Sequence, residues 1–205
     1  MALSQLREQW LALCAKIGVD GEAEWQSLST AYTSSGLAYH NLDHIADCLL
    51  KFQARKTEAA DPIAVELAIW FHDAIYDPRA ADNEEKSAHL AANFLKKTPY
   101  CGLVPDLIIA TKHIGEISSP DAALLCDIDL SILASPIPLY QKYSAAIREE
   151  YSWVPSSDYR RGRTKVLKNF LNREFIYALK ASRIDDEPWA RNNLAREIQE
   201  LAAEK

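Results

Sequence analysis

Between Asp61 and Asp73 the chain reads Asp-Pro-Ile-Ala-Val-Glu-Leu-Ala-Ile-Trp-Phe-His-Asp, and this segment limits the fold more than any other. Asp61 and Pro62 suit a helix start, one as cap and the other in the first turn, where a missing N–H costs nothing. Ile63, Val65, Leu67, Ala68, Ile69, Trp70 and Phe71 then place apolar side chains nearly all round the helix. Such a helix has no face to give to water, so other elements must surround it. The run from Ala64 to Phe71 is too short to cross a bilayer and is broken by Glu66, which makes protein the expected surround. At its end stand His72 and Asp73. A carboxylate in such a place is costly unless it is paired or bound to a cation.

The remaining periodicity is helical too. Leu6, Trp10, Leu11 and Leu13 begin an amphipathic helix, with Ser4 as the expected cap and Gly18 and Gly21 ending it. Leu42, Ile45, Leu49 and Phe52 form the stripe of a helix expected from about His40 to Lys56. Asn83 is expected to cap a helix with Glu84 and Glu85 in its first turn. Further helices are predicted over Pro105–His113, Pro120–Leu133 and Pro138–Tyr151, in the stretch holding Val166, Leu167, Phe170, Leu171, Phe175 and Ile176, and from Glu187-Pro188 onward. No segment alternates strictly over strand length, glycine is sparse, and no repeat occurs. The expectation is an all-α bundle forming a single domain over 1–205, its centre at about 38–133 and the terminal helices packed around it.

With 205 residues the chain can bury a proper core. A net charge of −6 argues against nucleic-acid binding by bulk charge. Cys14, Cys48, Cys101 and Cys126 lie far apart in or beside apolar segments, which fits buried free thiols in a reducing compartment. The opening residues lack the basic start and long apolar block of a signal peptide, so a cytoplasmic location without a membrane partner is expected.

The chemistry-bearing residues fall in order. His40 and His44 lie four apart, which on a helix puts them on one face. His72-Asp73 follows the buried helix, and Asp127 and Asp129 lie within another apolar run. Each part alone is weak, since surface histidine pairs and buried salt bridges are common. Together, imidazoles and carboxylates from separate segments are what a divalent metal needs to be held with positions left for water, and they point to metal-assisted hydrolysis.

The order His-x-x-x-His, then His-Asp, then Asp resembles the HD-domain metal-dependent phosphohydrolases, in the manner of small bacterial members. Tyr39-His40-Asn41-Leu42-Asp43-His44 is also similar to the Tyr-His-Asn-x-x-His motif of cyclic-nucleotide phosphodiesterases, a related all-α group. The resemblance implies that His44, His72, Asp73 and Asp129 hold a metal, with Asp73 bridging toward a second ion if one binds. It leaves His40 as the acid that protonates the leaving oxygen. Asp127 and Asn41 would support ligands from behind. His113, Glu84, Lys112 and Arg163 are candidates for a second metal or for the substrate phosphate. Mn, Fe, Zn, Co or Ni suits such ligands better than Mg, as one ion or two.

The implied activity is hydrolysis of a small phosphate ester, a nucleotide or related metabolite, by a phosphomonoesterase or phosphodiesterase. Two other readings use the same residues: a non-catalytic metal- or nucleotide-binding regulatory module, and a di-iron oxygenase. A homo-oligomer is compatible with all three.

Overall fold

A computed structural model describes residues 1–117 and 119–203. Among these the secondary structure is helical, with no strand. The helices are α1 (Leu3–Lys16), α2 (Glu22–Tyr32), α3 (Leu42–Arg55), α4 (Pro62–Phe71), α5 (Asn83–Phe94), α6 (Leu103–Ala110), α7 (Pro120–Asp129), α8 (Ile137–Glu150), α9 (Ser156–Leu171), α10 (Lys180–Asp185) and α11 (Glu187–Ala203). Single 3-10 turns stand at Lys56–Glu58 and Leu130–Ala134. Among the described residues no single helix is long and apolar enough to cross a membrane. The chain divides into two compact units, Met1–Leu125 and Cys126–Lys205, with the division inside α7; the sequence led us to expect one domain.

The first unit is built around α4. Asp61 caps it, its carboxylate accepting from the N–H groups of Ile63 and Ala64 at 3.1 and 3.0 Å. Asp121 accepts from the N–H groups of Ala60 and Asp61 at 2.7 and 2.9 Å, which fixes the chain entering the helix. Every residue from Ala64 to Phe71 is buried. Glu66 is tolerated there because Gln9 Nε2 and Lys56 Nζ each donate to it at 3.0 Å. Helices α3, α5 and α6 pack on α4, and Trp70 and Phe71 stand edge-on to Trp10 of α1 at 5.6 and 5.7 Å.

The second unit packs α11 against α9, α10 and the 3-10 turn after α7. Asn193 closes that turn by donating to the Leu133 and Ser135 carbonyls at 2.9 and 2.8 Å. Glu187 holds the segment before α10 through the N–H groups of Ile176 and Tyr177.

Several local expectations are corrected. Helix α1 starts at Leu3 with Ala2 at the cap, and Gln5 Oε1 accepts the Ala2 N–H at 3.0 Å, so Ser4 lies inside the helix. Asn83 is the first residue of α5, not its cap, and instead exchanges two hydrogen bonds with the Asp77 backbone. Helices α2 and α10 were not anticipated. All four cysteines are free, but Cys101 is exposed rather than buried.

Candidate metal centre

Helix α3 does not begin at His40. Asn41 is its N-cap: the side-chain oxygen accepts from Asp43 N–H at 2.9 Å and His44 N–H at 3.4 Å, while its amide donates to Ala38 O at 3.1 Å. Asn at a cap stops the helix from extending backward, so His40 stands on the preceding loop. Asn41 therefore anchors that loop and starts the helix on which His44 occupies the first turn.

His72 occupies the C-cap of α4, its N–H donating to Ala68 O at 2.9 Å. Its ring Nδ1 lies 2.9 Å from Ile69 O. A carbonyl only accepts, so Nδ1 carries a proton, and in the neutral ring Nε2 presents a lone pair. That Nε2 lies 3.1 Å from His44 Nε2 and 3.1 Å from Asp73 Oδ2, and His44 Nε2 lies 3.5 Å from the same oxygen. His44 and His72 are buried and Asp73 nearly so.

Burial alone would push the Asp73 carboxyl up. The charge and hydrogen bond that His72 offers when protonated, reinforced by His40 and His44, outweigh it and hold the group at about 2. When both imidazoles are neutral, His72 Nε2 and the Asp73 carboxylate turn electron pairs toward each other beside His44 at the end of a buried helix. They need a shared positive charge between them, either a proton or a cation.

The spacings fit a metal. Ligand atoms about 2.0–2.2 Å from one ion stand about 3.0 Å apart at a right angle and about 3.4 Å apart at the tetrahedral angle. The three atoms also form one of the groups whose donors all lie within 4.8 Å of each other. Two imidazoles and a carboxylate suit Zn or a first-row transition ion better than Mg.

Around this point lie His40 and three groups that sequence reasoning left without a role there, Tyr39, Tyr76 and Cys48. The Tyr39 ring is tilted over His44 at 4.8 Å. His40 is half-buried and stacks face to face on Tyr76, centroids 3.7 Å apart and planes at 18°, with its own ring 6.1 Å from that of His44. Cys48, one turn along α3, places Sγ 3.8 Å from both ring nitrogens of His44. Tyr39 sat in the motif itself. Tyr76, three residues beyond Asp73, gave no signal apart from that proximity.

The other candidates have different partners. Lys112 Nζ is held by Glu85 at 2.6 Å, with Glu84 at 3.7 Å. His113 closes α6 in the left-handed region at φ 53, its N–H donating to Ala110 O. Among the described residues neither Glu84 nor His113 joins a cluster of metal-ligating side chains.

In the second unit the Arg163 side chain is buried and gives its guanidinium fork to Glu197 at 2.7 and 3.1 Å. Asp127 also has backbone partners in this unit. Its two oxygens accept from Ala178 and Leu179 N–H at 2.7 and 2.9 Å, so it anchors the approach to α10. Asp129 is the half-buried last residue of α7. Neither a protein-family model nor a curated protein sequence matches the chain, so the chemical reading rests on these residues and distances.

Proposed function

We propose that this protein is a metal-dependent phosphohydrolase that cleaves a small phosphate ester, a nucleotide or related metabolite, with water. One observation carries the reading: His44 Nε2, His72 Nε2 and Asp73 Oδ2 meet at 3.1–3.5 Å with the far nitrogen of His72 already committed to Ile69 O. Asp129 enters as a further ligand from the sequence resemblance alone. A divalent ion in such a site lowers the pKa of a water toward neutrality and draws charge from phosphoryl oxygens.

The chain's own groups have the remaining tasks. Asp73 stays ionised and neutralises part of the cation's charge. His40 stands one ring away from His44, with its plane fixed against Tyr76, and donates the proton that the leaving oxygen needs. Tyr39 and Tyr76 wall the approach and limit the water that reaches it.

The test is elemental analysis of freshly purified protein, paired with a panel of phosphorylated metabolites assayed with and without chelator. About one equivalent of transition metal, with ester cleavage that a chelator abolishes and the metal restores, is expected. Bound metal without turnover would make the protein a binding module. No uptake of Mn, Fe, Co, Ni or Zn would end the reading.

A further inference from the structure

Tyr32, the last residue of α2, is fully buried, and its hydroxyl donates to Trp70 O at 2.9 Å. The backbone N–H of Asp73 lies beside the same phenol, where it favours charge on the oxygen. We infer that Tyr32 is a positioning residue for the His72–Asp73 pair, its hydroxyl holding the two peptide groups that bracket Phe71 and His72. The inference rests on the metal reading above and adds to it the device that sets the ligand directions.

The argument starts from the end of a helix, where the last four carbonyls have no partner within it. In α4 each is taken by a group that belongs to the site. Ala68 O receives the His72 N–H, Ile69 O the His72 ring, Trp70 O the Tyr32 hydroxyl, and Phe71 O the Ala74 N–H at 3.0 Å.

Had the helix continued, Trp70 O would have taken the Ala74 N–H four residues on, and Ile69 O the Asp73 N–H. Each helical residue turns about 100° around the axis, so that path would carry Asp73 away from His72. The Tyr32 hydroxyl replaces the missing N–H at Trp70 and supplies the missing acceptor for Asp73. The chain can therefore leave the helix at the residue where the carboxylate must swing back toward the two imidazoles. A phenylalanine would fill the same volume and do neither.

The experiment compares Co²⁺ binding by the full-length wild type, Tyr32→Phe and Tyr177→Phe, followed by visible absorption, with the melting temperature of each metal-free protein. Tyr177 is the control: its buried hydroxyl also donates to a carbonyl, Leu130 O at 3.1 Å, but in the second unit. The expected result is that Tyr32→Phe binds Co²⁺ about 10- to 100-fold more weakly, the usual scale for a group supporting metal ligands, and with a shifted d–d spectrum. Tyr177→Phe should lose stability while keeping both affinity and spectrum.

Equal affinity and an unchanged spectrum in Tyr32→Phe overturn the inference and leave Tyr32 a packing residue. A wild type that takes up no Co²⁺ overturns the metal reading itself, a separate outcome. If Tyr32→Phe does not fold, amide exchange in the metal-free wild type decides. An Asp73 N–H protected like the core supports the bridge, and one exchanging like an open loop removes it.

Discussion

Two buried polar clusters, one in each unit, resolve the cost of burial in opposite ways. In the second unit Arg163, Glu197, Tyr140 and Tyr143 close on themselves. The guanidinium forks onto the carboxylate, the Tyr140 hydroxyl donates to the same carboxylate, and Tyr143 lies beneath the arginine with its ring 5.3 Å away. Donors and acceptors match, and burial holds the Tyr140 phenol in its protonated, donating form. In the first unit the ring nitrogens of His44 and His72 converge on the Asp73 carboxylate, and with both rings neutral the three groups bring more acceptors than donors to one point. The two buried side-chain atoms that lack a hydrogen-bond partner among the described residues, Glu24 Oε1 and Trp70 Nε1, also belong to that unit. A matched cluster is what a stable interior selects. A mismatched one persists where a bound cation completes it, and this contrast separates architecture from site.

The largest test of the contrast is to remove the mismatch. His72→Ala and Asp73→Ala are each expected to abolish metal content and turnover together, while both metal-free proteins remain folded. Retention of metal by both variants, measured by elemental analysis, would make the cluster an ordinary buried ion pair. Next comes His40→Ala, which should keep its metal and lose about 10²- to 10⁴-fold in turnover of esters with poor leaving groups, the range of a general acid. Equal loss on activated nitrophenyl esters would mean that His40 does something other than protonate the leaving oxygen.

The matched cluster should behave in reverse. Glu197→Ala strands the Arg163 charge in the interior and is expected to cost about 3–5 kcal/mol by denaturant unfolding, with metal per folded molecule unchanged. The double variant Arg163→Met with Glu197→Leu removes both charges and should recover most of that loss. A double variant as unstable as the single one would show that the pair does more than balance itself.

Much of this contrast was legible in the sequence, for identifiable reasons. Helix α4 was readable because its cap, its proline and its all-round apolar surface are local, and His72-Asp73 because a charged pair ending such a helix demands an explanation. The start of α3 was misread although Asn41 carried a cap signal, since the four-residue spacing of the histidines suggested a shared helical face. Helix α2 was passed over although Trp25, Leu28 and Tyr32 follow helical spacing behind Glu22 and Glu24, and with it went Tyr32, whose partner lies 38 residues away. Arg163 and Lys112 were read as available cations because Glu197 and Glu85 lie 34 and 27 positions away. Local pattern shows what a residue can do, and tertiary pairing decides whether that capacity is already used.

The smallest effect concerns the other mismatch in the first unit. Burial pushes the Glu24 carboxyl above its ordinary range, and Oε1 has no partner. The folded protein therefore holds the Glu24 proton to higher pH than the unfolded chain does, so stability falls as pH rises from the model-peptide carboxyl range through the raised folded value. Glu24→Gln keeps the shape and removes the titration. It should be more stable than wild type at neutral pH by no more than about 0.5 kcal/mol, with the gain vanishing below about pH 4.3. Unfolding free energies measured across this range test the sign. A wild type that gains on the variant as pH rises would place Glu24 among the matched groups and narrow the mismatch of the first unit to the His44–His72–Asp73 cluster and Trp70.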